Sequence, residues 1–153
     1  MSDDLDDTDL KLLTLLQADG QRSMADLSKE IGIAASTLND RVKRLQRLGA
    51  ITGFHAHVAP ESLGLSLTAF VFVGWSEADV EAAFLKRIAA APQVLECHHV
   101  TGGWNYLLKV RVKDTSALEA FLGGVLKKVL GLQRTETLIV LSSPKETIVL
   151  PTD

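Results

Sequence analysis

Leucines recur along the first fifty residues at helical spacing. Leu10, Leu13 and Leu16 mark one face of a segment running from Leu5 to Ala18. Positions three and four apart stack on one side of a helix, so this segment predicts a first helix. Asp7 or Thr8 is placed to cap it, the acids of its first turn suit the helix dipole, and Gly20 follows its end. A second helix is predicted from Ser23, a capping residue with Asp26 three positions on. Leu27 and Ile31 form its face, and Gly32 supplies the positive φ that stops it. In the third, Leu38, Val42, Leu45 and Leu48 fall at steps of four, three and three, and Gly49 closes it. Three helices of this length share a small core, and the last two form a helix-turn-helix.

The period changes at Ile51. Residues Ile51–Val58 carry no helical repeat and read as a strand or extended arm. Pro60, Ser62 and Gly64 mark a boundary, so residues 51–65 are the expected linker between a domain of residues 1–50 and one of residues 66–153. Beyond it, β-forming runs at Leu67–Trp75, Val94–Val100, Trp104–Val112 and Thr135–Leu141 alternate with two helical patterns. The first helix runs from Glu77 to Ala91, capped by Ser76, faced by Val80, Phe84, Leu85 and Ile88 and ended by Pro92. The second starts at Asp114, Thr115 or Ser116 and reaches about Leu130, with Leu118, Phe121, Leu122, Val125 and Val129 inward. Thr101–Gly102–Gly103 is a tight turn, and Glu146–Leu150 is expected to add a short edge strand. The order β-α-β-β-α-β is ferredoxin-like, which makes the fold class α+β. Such a sheet has helices on one face only. LTAFVFV and TETLIVL are apolar on both faces, which predicts burial against a second copy and at least a homodimer.

Charge adds a candidate chemistry. The whole chain carries a net charge of −3 over 153 residues, so it does not coat nucleic acid indiscriminately. Between Gln21 and Gly49, however, six cations (Arg22, Lys29, Arg41, Lys43, Arg44, Arg47) face three acids (Asp26, Glu30, Asp40). On the third helix, short hydrogen-bonding residues come first and cations follow. A helix lying in the major groove of double-stranded DNA uses its first turns on base edges and its flanking cations on phosphates. Ser36, Thr37, Asn39 and Asp40 are therefore the candidates for base contact, and Arg41, Lys43, Arg44 and Arg47 for the backbone. The apolar runs are broken well before 18 residues, no basic-then-apolar leader opens the chain, and Cys97 is a lone cysteine. These features predict a cytoplasmic protein with no membrane span and no internal disulfide.

The residues LDDTDLKLLTLLQADGQRSMADLSKEIGIAASTLNDRVKRLQRLGAITGF at the front and VLECHHVTGGWNYLLKVRV behind resemble the Lrp/AsnC family of leucine-responsive and asparagine regulators. The opening LDDTD, the RVKRLQRLGAI segment and the C-H-H-V-T-G turn before YLLKV carry the likeness in combination. The resemblance spans roughly Leu5 to Val149. It implies a winged-type helix-turn-helix joined to a ligand-binding, oligomerising domain, a transcription regulator rather than an enzyme, and dimers that assemble further to octamers. It also implies an amino-acid-like effector at a subunit interface, near Thr101, Gly102, Gly103, Trp104, Asn105 and Tyr106, with help from Thr135 and Thr137. The family turn usually places acids where this chain has Gly103 and Asn105, so the turn has no carboxylate to meet an ammonium group. A second departure is Ala34, which stands where the family has a capping serine. Its loss costs about 1 kcal/mol, and Ser36 is expected to cap a helix that starts slightly later.

Two other chemistries compete. Cys97, His98 and His99 invite a metal, but only Cys97 and His99 share one side of a strand, too few ligands for a structural zinc site. No metal and no cofactor is therefore expected. The same residues, with Trp104–Asn105–Tyr106, partly echo siroheme decarboxylases of similar layout. That enzyme is the alternative reading, alongside an effector-independent DNA-binding or assembly protein.

Overall fold

The computed structural model describes residues 5–152. They form two compact units, one of residues 5–57 with 145–152 and one of residues 58–144.

In the first unit α1 (Asp7–Ala18), α2 (Met24–Ile31) and α3 (Ala35–Arg47) enclose Leu12, Leu16, Leu27, Leu38, Val42 and Leu45. All but Leu12 lie on the stripes that the apolar spacing defines. The caps differ in detail from the expectation. Asp6, not Asp7 or Thr8, caps α1: its carboxylate accepts from the Asp9 N–H, and the Asp9 carboxylate accepts from the Asp6 N–H. The reciprocal pair satisfies two donors that a helix start leaves open. Ser23 caps α2 through the Asp26 N–H, and Gly32 ends it at φ 83°. Helix α3 begins at Ala35 with Ala34 at the cap and no side-chain cap bond, so the later start expected from Ser36 does not occur. Packing of Leu38, Val42 and Leu45 holds the helix where the cap does not.

After α3, residues 51–58 join no ladder. Glu146–Leu150, expected as an edge strand, also joins none. Instead it lies along α1: Gln17 donates to the Leu150 carbonyl at 3.0 Å and accepts from the Leu150 N–H at 2.8 Å. The Gln17 amide thus stands in for a neighbouring strand.

The second unit is a four-stranded antiparallel sheet in the order β2-β3-β1-β4: β1 Leu67–Gly74, β2 Val94–His99, β3 Tyr106–Val112, β4 Arg134–Ile139. Helices α4 (Val80–Ala89) and α5 (Thr115–Gly124) cover one face. Ala69, Val71 and Val73 of β1 and Tyr106, Leu108, Val110 and Val112 of β3 point into that core, with Phe84, Leu118 and Phe121 from the helices. The alternate residues, Phe70 and Phe72 with Leu107 and Leu138, lie on the other face. Both helices are shorter than their patterns predict. Ser76 does not cap α4, because its hydroxyl donates to the Gln133 side chain, and the helix starts at Val80. Helix α5 stops at Gly124 rather than near Leu130, since consecutive Gly123 and Gly124 disfavour helix. A 3-10 turn at Leu126–Lys128 follows, and Arg87 of α4 donates to the freed carbonyls of Gly124 and Val125.

Gly131 closes this turn at φ 86°, and a Cβ there would sit 2.5 Å from Val80 Cγ2. Gly131→Ala meets both a left-handed backbone and a clash, so it is expected to cost about 1–3 kcal/mol, read as a lowered urea midpoint. An unchanged midpoint would show that the α4 start yields freely.

Candidate nucleic-acid interface and effector turn

Helix α3 owes its place to two opposed stripes. Leu38, Val42 and Leu45 of its apolar stripe are buried, and the outward side presents Ser36, Thr37, Asn39, Asp40, Lys43 and Arg47, all exposed. Lys43 and Arg47 take no ion-pair partner among the described residues. Thr37, Asp40 and Arg47 line an open cleft of about 540 Å³ together with Asp6, Arg41 and Arg44.

Arg41 and Arg44 are placed differently from the other two cations. Arg41 Nη1 bonds Asp6 Oδ2 at 2.7 Å and Asp9 Oδ1 at 2.8 Å, and Arg44 Nη2 bonds the other Asp9 oxygen. Asp9 is fully buried, and two guanidinium groups and the Asp6 N–H donate to its carboxylate. The Asp9 and Asp6 carboxylates raise the Arg41 pKa further. The Asp9 N–H, and after it Arg41, holds the Asp6 carboxyl below its ordinary value. Sequence patterns present Asp6 and Asp9 only as acids that suit the helix dipole, and this clamp is absent from them. The available signal is a matched spacing: Asp6 and Asp9 are three apart, as are Arg41 and Arg44.

At the effector turn the structure brings together only some of the expected residues. Thr101, Gly102 and Gly103 are exposed; Trp104 and Asn105 are half-buried; Tyr106 is buried. Asn105 Oδ1 accepts from the Trp75 N–H at 2.8 Å, and its backbone N–H donates to Val73. The Tyr106 hydroxyl donates to Glu81 at 2.7 Å, and that carboxylate, with burial, pushes the phenol up to about 12. Tyr106 also stacks on His99 and Trp75. Thr135 and Thr137 pair with Val73 and Val71 across the ladder, so they share the helix-covered face. Arg134, which no sequence pattern singles out, is the β4 residue that meets the turn. Its guanidinium lies 4.5 Å from the Trp104 ring centroid and donates to the Gly103 carbonyl. Among the described residues, no three of His, Cys, Asp and Glu are grouped to hold a metal ion, and no helix is long and apolar enough to cross a membrane.

Comparison with known proteins gives these two units a family. Residues 5–52 match the winged helix-turn-helix DNA-binding model and residues 68–150 the Lrp/AsnC ligand binding domain model. The HTH-type transcriptional regulator FL11 of Pyrococcus furiosus is 36% identical over 147 residues, 96% of each chain. The leucine-responsive regulatory protein of Escherichia coli is 37% identical over 145 residues, covering 94% of this chain and 88% of that protein. Among solved structures, the transcriptional regulator NMB0573 of Neisseria meningitidis in complex with L-Met aligns with a TM-score of 0.92 at 33% identity over 96% of both chains. With both domains matched across nearly its whole length, the chain belongs to the Lrp/AsnC family of DNA-binding transcription regulators.

Proposed function

We propose that this regulator binds its operator as a dimer, with α3 of each copy in successive major grooves of one duplex. Ser36, Thr37, Asn39 and Asp40 meet base edges, and Lys43 and Arg47 meet phosphates. The observation that carries this reading is the division of the α3 cations. Lys43 and Arg47 stand exposed beside the polar first turns, whereas Arg41 and Arg44 are engaged by Asp9. Dimerisation is supported by the sheet face that no helix covers. Phe70, Phe72, Leu107 and Leu138 lie on it, and Leu138 is 49% exposed. A patch of that kind is expected to be covered by another chain. Assembly to an octamer and an amino-acid-like effector at the turn of residues 101–106 complete the reading, and the neighbour solved with L-Met supports the effector class. The siroheme-decarboxylase alternative is less well supported. The Tyr106 hydroxyl is tied to Glu81 and the His99 ring is stacked on Tyr106, so both are engaged within the fold.

The test is selection of bound duplexes from a random pool by the intact chain. A palindromic site with half-sites about one helical turn apart is expected. Asn39→Ala should relax one base step in each half, losing about 1–3 kcal/mol of discrimination there. Recovery of unrelated sequences by the unaltered chain would overturn the operator-reading role.

A further inference from the structure

We propose that the effector turn recognises its ligand by a carboxylate alone, held by Arg134 over Trp104, and requires no α-ammonium group. Apolar oxo acids then bind there as well as the matching amino acids do. The inference rests on the effector reading above and specifies its chemistry.

The six residues from Thr101 to Tyr106 contain no acid. Two of their polar side chains that could meet an ammonium group are turned into the fold. The Asn105 amide oxygen is taken by the Trp75 N–H, and the Tyr106 hydroxyl by Glu81. What the turn offers outward is cationic and aromatic. Arg134 lies over the Trp104 ring and donates to the Gly103 carbonyl, and Trp104 packs in turn on Phe72 at 5.7 Å between centroids. The close approach depends on Gly74, the cross-strand partner of Arg134, where a Cβ would lie 2.7 Å from Arg134 Nε.

A guanidinium has five N–H donors in a planar fork, and Nη2 is the nitrogen bonded to Gly103. The remaining donors suit a carboxylate, while the exposed part of the half-buried indole suits an apolar side chain. An ammonium group is repelled by Arg134, which already takes the Trp104 ring that could otherwise receive a cation. The nearest acid along β4 is Glu136, across from Phe72, and it makes no ion pair with Arg134 among the described residues. Glu136 is therefore the residue that can defeat the inference, by meeting an ammonium group itself.

The experiment is calorimetric titration of the full chain with matched sets. One is L-phenylalanine, phenylpyruvate and L-phenylalaninamide; a second is L-leucine, α-ketoisocaproate and L-leucinamide. The third is L-methionine, α-keto-γ-methylthiobutyrate and L-methioninamide. In the set that binds, the oxo acid is expected within about tenfold of the amino acid and the amide more than about tenfold weaker. Arg134→Gln should weaken both acids by about tenfold or more at an unchanged melting temperature, and Arg134→Lys should recover part of the loss. An oxo acid weaker than its amino acid by more than about tenfold overturns the inference and leaves the effector reading standing. An amide that binds as well as the acid, or an Arg134→Gln chain that binds as before, overturns it too. If no member of any set binds, the effector reading falls and the inference with it.

Discussion

Asp9→Asn is expected to destabilise the helix-turn-helix unit more than any other single polar change in it. The carboxylate is fully buried and holds Arg41, Arg44 and the Asp6 N–H at once. Asparagine keeps the shape but removes the charge that Arg41 and Arg44 share, leaving Arg41 with Asp6. Removing one partner of a buried charge pair costs about 3–5 kcal/mol, because the other charge is stranded away from water. Here the cations are not wholly stranded: the Arg41 and Arg44 side chains are 26% and 36% exposed, so each can rehydrate in part. The expected loss is therefore the lower part of that range and below, about 2–4 kcal/mol. For a unit this small it lowers the melting temperature by about 10 °C or more, measured by scanning calorimetry. A companion chain separates stranded charge from lost packing. Asp9→Leu combined with Arg41→Met and Arg44→Met buries no unpaired charge and should recover much of the loss. If Asp9→Asn melts within about 2 °C of the unaltered chain, the clamp is not what holds α3 against α1.

That clamp marks where sequence patterns stop being informative. Period and glycine placement locate the five α-helices and four strands of the described residues, because each apolar stripe has only one way to be buried. Some of the errors lie where a polar side chain has several partners to choose from. Ser76 has the composition of a cap, yet its hydroxyl bonds Gln133, fifty-seven residues away in sequence. The apolar spacing through Val125 and Val129 continues a helix past Gly124, but both residues are half-buried or buried from a 3-10 turn instead. Only a spacing of three, matching that of Asp6 and Asp9, sets Arg41 and Arg44 apart in sequence from Lys43 and Arg47. Their roles separate only when α1 and α3 pack, since Arg41 and Arg44 lie on the side turned to Asp9. Arg134 is hidden in the sequence for the same reason. Its meaning comes from Gly74, its partner across the β1–β4 ladder, and from Trp104, which the β2–β3 turn brings beside it.

The division among the α3 cations leads to an asymmetric expectation for DNA. Lys43→Gln and Arg47→Gln together should leave the melting temperature unchanged, since neither side chain is held by an ion-pair partner among the described residues. They should nevertheless nearly abolish binding. Each neutralised phosphate releases counterions and contributes about 0.9 to the slope of log K against log salt. Removing two such cations from each copy of a dimer takes about 3.6 from that slope, which at 0.1 M salt amounts to roughly four thousandfold in affinity. Fluorescence anisotropy across several salt concentrations reads both quantities. Arg41→Gln and Arg44→Gln should show the reverse pattern. Their melting temperature falls because Asp9 loses its partners, while the salt slope of the chain that remains folded changes little. A slope that drops equally for both pairs would mean that Arg41 and Arg44 leave Asp9 for phosphates on binding. In that case the buried carboxylate would exchange its partners for DNA, and protein stability and operator affinity would be coupled through Asp9.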